Sequence, residues 1–194
     1  LTQLLDEIQA NFGRTGSMYA FSEYGVEPDL VTLGKGLGNG MPVDAVVGRA
    51  DVFARLGYGE GSDTWSAHPL GCAAVLATLD EFEQEDVIGQ GRTLSAAIEE
   101  CLVKLNELPA ILHVRGEGTV WGIECQAVGD LSAEQVAHEI VRLAYLGDEQ
   151  GRGVHLLGPL AGKVIRVAPP LTMSVAELRE YFDVLHGIVA RLGQ

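Results

Sequence analysis

Leu30-Val31-Thr32-Leu33-Gly34-Lys35-Gly36-Leu37-Gly38-Asn39-Gly40 is an apolar run that passes directly into a glycine-rich segment carrying one amine. The first four residues read as a strand. The glycines after them read as a tight turn in which little but backbone surrounds Lys35. Lysines usually sit solvated on exposed faces, so one set at a strand-to-loop edge among residues without side chains points to a reactive amine with a large ligand beside it. Two nucleotide-binding patterns fail here. A Walker loop needs Ser or Thr after its lysine, where Gly36 stands, and the Gly-x-Gly-x-x-Gly pattern fails at Asn39.

Outward from this stretch, the first third of the chain alternates short apolar strands, near 2–5, 29–34 and 43–48, with loops, and a short helical stretch lies around Ala50 to Leu56. That pattern suits a largely parallel sheet with loops at the strand ends. Pro69 opens a helix, where a missing N–H costs nothing, and Val75, Leu79 and Phe82 give it an apolar stripe. A second helix places Leu94, Ile98, Cys101, Leu102 and Leu105 on one face and ends by Pro109. Beyond it the spacing predicts strands near 111–115 and 119–125, a helix from Ser132, a strand at 163–167 and a last helix from Ser174. Ser132-Ala133-Glu134-Gln135 and Ser174-Val175-Ala176-Glu177 both fit a capping box. Val175, Leu178, Phe182, Leu185, Val189 and Leu192 step by three and four, so the last helix covers a core. Residues 1–84 thus read as a piece of a sheet domain and 85–194 as a small α+β domain.

A chain of 194 residues that is 47% hydrophobic has enough apolar mass for a packed core in one or two domains. No apolar run approaches the ~18 residues of a membrane span, and the N-terminal segment carries acids where a signal peptide carries bases, so a cytoplasmic protein without membrane attachment is expected. The formal net charge of -14, without a basic cluster, excludes nucleic acid as a partner. Cys72, Cys101 and Cys125 are widely spaced in apolar periodic segments, which predicts buried free thiols rather than disulfides or a zinc site. The chain begins at Leu1 and within five residues is finishing an apparent buried strand, so it reads as part of something longer.

Several stretches occur in a fixed order: Asp6-Glu7-Ile8-Gln9, Phe12-Gly13-Arg14-Thr15-Gly16, Pro28 to Gly36, Thr64-Trp65-Ser66-Ala67-His68-Pro69-Leu70, and Arg166-Val167-Ala168-Pro169-Pro170-Leu171. Together they resemble the ordered motifs of the class III pyridoxal-phosphate aminotransferases, the family of the acetylornithine, ornithine and 4-aminobutyrate enzymes. The resemblance runs the whole length of this chain but covers only the C-terminal part of such an enzyme. It implies the type I fold of pyridoxal-phosphate enzymes, an α/β architecture. Residues 1–84 would be the C-terminal part of the cofactor-binding large domain, with a mostly parallel sheet, and 85–194 the small C-terminal α+β domain.

The resemblance also assigns roles. Lys35 would be the Schiff-base lysine that holds pyridoxal 5'-phosphate and later moves a proton between substrate and cofactor. Asp6, 29 positions before it, would face the pyridine nitrogen and keep it protonated. Gln9 matches the family glutamine near the ring hydroxyl. Thr64 matches a threonine that reaches the cofactor phosphate of the neighbouring subunit, which implies a homodimer with shared active sites; beside Asp63, a contact through hydroxyl and backbone is the physical expectation. Arg166 alternates with Ile165 and Val167 and matches the family arginine that grips a substrate carboxylate. His68 is expected to begin a helix rather than to carry protons, and Arg14 to shape a loop. The phosphate loop and the stacking aromatic would come from an absent N-terminal half.

The implied activity is transfer of an amino group from an ornithine-like, 4-aminobutyrate-like or other ω-amino donor to a 2-oxo acid. Aminomutases and racemases share the lysine machinery and form one alternative. A chain acting only as an assembly module, inactive without its other half, forms another.

Overall fold

Short apolar runs between turn-forming residues give the first part of the chain a three-stranded sheet of β1 (Leu4–Asp6), β2 (Leu30–Leu33) and β3 (Ala45–Gly48), in that order. The computed structural model describes residues 2–192. Two units emerge along the chain, Leu1–Gly89 and Gln90–Gln194.

In the first unit β1 runs parallel to β2, with Leu4, Leu5 and Asp6 opposite Leu30, Val31 and Thr32, whereas β2 and β3 are antiparallel. The expected parallel pairing is therefore present at β1–β2, while β3 returns in the opposite sense. Period-two alternation turns Val31 and Leu33 inward, where they pack with Phe12 and Leu37. A helix α1 (Ala50–Phe53) follows the sheet, and α2 (Pro69–Gln84) lays Val75, Leu79 and Phe82 against the same core. Phe12 and Phe82 meet edge to face with ring centroids 5.6 Å apart. The sequence predicts a buried β1, yet Leu4 and Asp6 are exposed, because among the described residues β1 is an edge strand paired with β2 alone. Cys72 also departs from expectation. It lies exposed in the first turn of α2, where its neighbour Gly71 is the buried residue, while Cys101 is half-buried and Cys125 fully buried; all three are free thiols.

The second unit takes most of the buried apolar surface. Helix α3 (Val87–Val103) is followed by an antiparallel sheet of β4 (Ile111–Glu117), β5 (Val120–Cys125) and β6 (Val164–Val167), with α4 (Ala133–Leu146) between β5 and β6 and α5 (Val175–Arg191) last. Gly118, at φ 58°, supplies the left-handed residue that the two-residue β4–β5 connection needs. Trp121, Ile123, Ile165 and Val167 face the helices and join Leu94, Ile98 and Leu102 of α3, Ile140 of α4 and Leu185 and Val189 of α5 in one core. All the helices' contribution to that core comes from one face of the sheet, as an α+β unit requires. Both expected capping boxes form: Ser132 accepts from Gln135 N–H, Ser174 accepts from Glu177 N–H, and each third-position side chain bonds back to the serine backbone.

These features differ in weight. Ile140→Ala removes a fully buried side chain and lowers the stability of the second unit by about 2–5 kcal/mol, whereas Ser174→Ala forfeits a cap worth about 1 kcal/mol. Denaturant unfolding of the full-length protein checks the order. A cap variant shifting the midpoint as far as the core variant would contradict this account.

Candidate active site

Because β1 and β2 are parallel and Asp6 stands opposite Thr32, both strands finish at the same edge of the sheet. Ligands of open α/β sheets bind outside the carboxyl ends of parallel strands, where loops converge. β2 ends at Leu33, and Lys35 opens a 3₁₀ turn, Lys35–Leu37, at that edge. Val31 and Leu33 occupy the core face, which leaves Thr32 and Asp6 on the other. There the Thr32 hydroxyl donates to Asp6 Oδ1 at 3.3 Å and the Ile8 N–H donates to the same oxygen at 3.0 Å. Two donors on one oxygen hold the exposed carboxylate in a single orientation. Lys35 is exposed as well, so the first unit brings an amine and a carboxylate to one open edge.

The Lys35 turn is held under strain. Lys35 adopts φ 46°, left-handed territory that costs a residue with a side chain on the order of 1 kcal/mol. Phe12, at φ 51°, lies beneath it. A Cβ at Gly36 would fall 3.0 Å from Phe12 Cβ, and one at Gly38 would fall 2.4 Å from the Met41 carbonyl oxygen, so both positions need glycine for close approach. What secures the turn is the segment after β1. The buried Asn11 amide donates to the Gly34 carbonyl at 3.2 Å. The buried Glu7 carboxylate accepts from Ala20 N–H at 2.8 Å and from Phe21 N–H at 2.6 Å, and the Glu7 N–H donates to the Thr32 carbonyl at 3.1 Å. The sequence alone does not mark Glu7 or Asn11 for this task. Their one signal is that they flank Gln9 in the same short stretch as Asp6.

The other expected residues are placed separately. Gln9 is half-buried in the turns that follow β1. Arg14 is half-buried in the Gly13–Gly16 turn, and burial pulls its pKa below the ordinary guanidinium value. Thr64 is exposed in a long run of exposed residues before α2, where Asp63 Oδ1 accepts from Trp65 N–H at 2.6 Å and the Ser66 hydroxyl accepts from Asp63 N–H at 3.1 Å. His68 occupies the position before Pro69 at the start of α2, as expected of a helix-start residue, but its side chain makes no capping hydrogen bond. Arg166 belongs to the second unit, on the exposed face of β6, while its neighbours Ile165 and Val167 are buried as alternation requires. It borders two cavities, one of about 280 Å³ shared with Arg115 and Trp121 and an apolar one of about 480 Å³ lined by Tyr181, Phe182 and Met173.

Comparison with known proteins shows the family to which the chain belongs. The family described as Aminotransferase class-III matches residues 3–189. An acetylornithine aminotransferase from Gloeobacter violaceus is 37% identical over 191 residues, covering 97% of this chain and 44% of that protein. A leucine/methionine racemase from Thermococcus litoralis is 32% identical over 188 residues, covering 96% of this chain and 41% of its own length. Among solved structures, an ornithine aminotransferase from Toxoplasma gondii with PLP at partial occupancy in its active site superposes with a TM-score of 0.81 at 29% identity, over 97% of this chain and 42% of that one. The chain thus spans less than half the length of the curated relatives it matches.

Class-III aminotransferases depend on pyridoxal 5'-phosphate, and the β1–β2 edge fits that group. An exposed amine, an oriented carboxylate and a turn stripped of side chains meet the needs of an aldehyde, a pyridine nitrogen and a flat ring that must approach backbone closely. Asn11→Ala tests the support beneath this edge. Losing the Asn11 amide removes one of two donors to the buried Gly34 carbonyl, the Leu37 N–H keeping the other at 3.1 Å; this costs about 0.5–1.5 kcal/mol and frees the Lys35 turn. The melting temperature of the full-length protein falls, and exchange of the turn amides speeds up. Unchanged protection of Leu37 and Gly38 in the variant would contradict the role given to Asn11.

Proposed function

Because the chain belongs to the class-III aminotransferase family, we propose that it is the C-terminal part of a pyridoxal-phosphate-dependent aminotransferase that moves an amino group from an ω-amino donor, ornithine-like or 4-aminobutyrate-like, to a 2-oxo acid. The observation that supports this reading most directly is the parallel register that ends β1 at Asp6 and β2 two residues before Lys35. When bound, pyridoxal phosphate supplies an aldehyde for amines and a ring that accepts an electron pair. In this reading Lys35 would hold the cofactor through its Nζ, and the same amine, when free, would move a proton from the substrate carbon to the carbon that the cofactor aldehyde supplies. Asp6, fixed by Ile8 N–H and the Thr32 hydroxyl, keeps the ring nitrogen protonated. Gln9 supports the ring hydroxyl without adding charge.

Thr64 serves a second copy of the chain in this account. Its exposed hydroxyl and N–H donate to the phosphate held by a partner subunit, so that a homodimer completes each site. Arg166 binds a substrate carboxylate through two parallel hydrogen bonds, a task for which its planar fork suits it better than lysine. The 32% identity to a racemase favours one further reading, in which the same lysine returns the proton to the opposite face of the substrate carbon and no amino group leaves. Product analysis with and without an added 2-oxo acid separates the two, because racemisation consumes no acceptor.

Lys35→Ala in the full-length protein lowers turnover by roughly 10²–10⁴-fold, the range of a lost acid–base group, while the thermal transition is retained. Turnover close to that of the unaltered protein would overturn the assignment.

A further inference from the structure

The turn that carries Thr64 is built by an acid. Asp63 Oδ1 accepts from Trp65 N–H, two residues on, at 2.6 Å, the Asx turn that a short carboxylate side chain forms with its own backbone. The backbone of Asp63 closes the same turn: its N–H donates to Ser66 Oγ at 3.1 Å and its carbonyl accepts from Ser66 N–H at 3.3 Å. The Trp65 carbonyl then accepts from His68 N–H at 3.2 Å, which leads the chain into α2. Thr64 is bracketed by these bonds and engages neither its N–H nor its hydroxyl in them, so the turn offers both donors to a ligand.

The same carboxylate stands close to where an anion would be held. Consecutive Cα atoms lie about 3.8 Å apart and the Asp63 side chain folds back onto the Trp65 N–H, so an anion on Thr64 sits roughly 5–8 Å from that carboxylate. The neighbouring sequence supplies no cation to offset it. Neither Lys nor Arg occurs between Arg55 and Arg92, and Glu60 adds a second acid, its carboxylate accepting from Gly57 N–H at 2.7 Å. Residues 53–70 are exposed, so the field of Asp63 reaches its surroundings through solvent. A phosphate ester carries a charge of about -1.5 to -2, and a turn of neutral donors suits it better than one that includes a carboxylate.

The geometry points to Asp63 as a positioning residue that sets the affinity for the cofactor's phosphate through two opposed effects: its side-chain oxygen holds the turn so that Thr64 presents its donors, and its charge repels the dianion those donors hold. This inference rests on the reading of Thr64 as a phosphate contact. A neutral residue able to form the same turn keeps the first effect and loses the second. Asparagine is such a residue, because its amide oxygen accepts from the N–H two residues on as a carboxylate does, whereas alanine loses both. The two effects also differ in their response to salt, which screens a repulsion acting across solvent and leaves the hydrogen bonds of the turn in place.

The test is equilibrium dialysis of the cofactor-free, full-length protein against pyridoxal 5'-phosphate and against pyridoxal, which differ only in the phosphate. Asp63→Asn is expected to bind pyridoxal 5'-phosphate about fivefold more tightly than the unaltered protein at low ionic strength, to lose most of that gain at about 1 M salt, and to bind pyridoxal within about twofold. Asp63→Ala is expected to bind pyridoxal 5'-phosphate about threefold or more weakly than Asp63→Asn, because the turn is no longer held. No gain in Asp63→Asn, an equal gain for both ligands, or a gain that persists in full at high salt would overturn the charge effect; equal affinities of the Asn and Ala variants would overturn the positioning effect. Thr64→Val keeps the two readings apart. It is expected to weaken pyridoxal 5'-phosphate and leave pyridoxal unchanged, and if it weakens neither, the phosphate role of Thr64 fails and the part given to Asp63 fails with it; an unaltered affinity in Asp63→Asn beside a weakened Thr64→Val leaves Thr64 standing.

Discussion

Parallel pairing of β1 with β2 brings two chemically unlike residues, separated by 29 positions, to one edge of the first unit. An antiparallel pair would send the two strand ends to opposite edges, and Asp6 and Lys35 would then serve different surfaces. The pairing is also short: three register positions join the strands, so hydrogen bonds outside the ladder must hold the edge together. Asn11 to Gly34 and Glu7 to Ala20 and Phe21 supply them, each made by a side chain that is almost wholly buried. A buried polar group left without a partner costs more than the bond itself contributes, so these contacts fix the loops as much as they stabilise them.

The two units treat their sheets alike. In each, one face is packed and the other is open, and the residues with chemical potential stand on the open face or edge: Asp6 and Thr32 in the first, Arg115 and Arg166 in the second. Period two enforces this division, since every inward Val31 or Ile165 has an outward neighbour in Thr32 or Arg166. Strain is concentrated in the same way. Lys35 and Phe12, both left-handed without being glycine, sit against one another's segments, and the surrounding glycines give them room.

Much of this could be read in the sequence because it is local. Capping boxes at Ser132 and Ser174, the stripe of α5 and the alternation around Arg166 are encoded within a turn or two of chain, and each took the form its residues required. The Lys35 turn was legible for the same reason, from glycines on either side of one amine. What escaped depends on partners distant in sequence. Glu7 looks like a second acid beside Asp6 until the chain returns at Ala20 and offers two backbone donors. The reversal of β3 has no local signature, since its apolar residues would suit either direction. Cys72 shares the spacing of Val75 and Leu79, yet in the first turn of α2 it is Gly71, beside it, that is buried against Val43, and Cys72 stands at the surface.

The most direct test of the central claim, that the amine of Lys35 is the group that holds pyridoxal phosphate, is reductive trapping. The full-length protein is loaded with pyridoxal 5'-phosphate, reduced with borohydride and digested, and the modified peptide is located by mass. The account predicts a pyridoxyl group on Lys35 that disappears in Lys35→Ala. A folded protein that carries the label on another lysine, or on none, would contradict it.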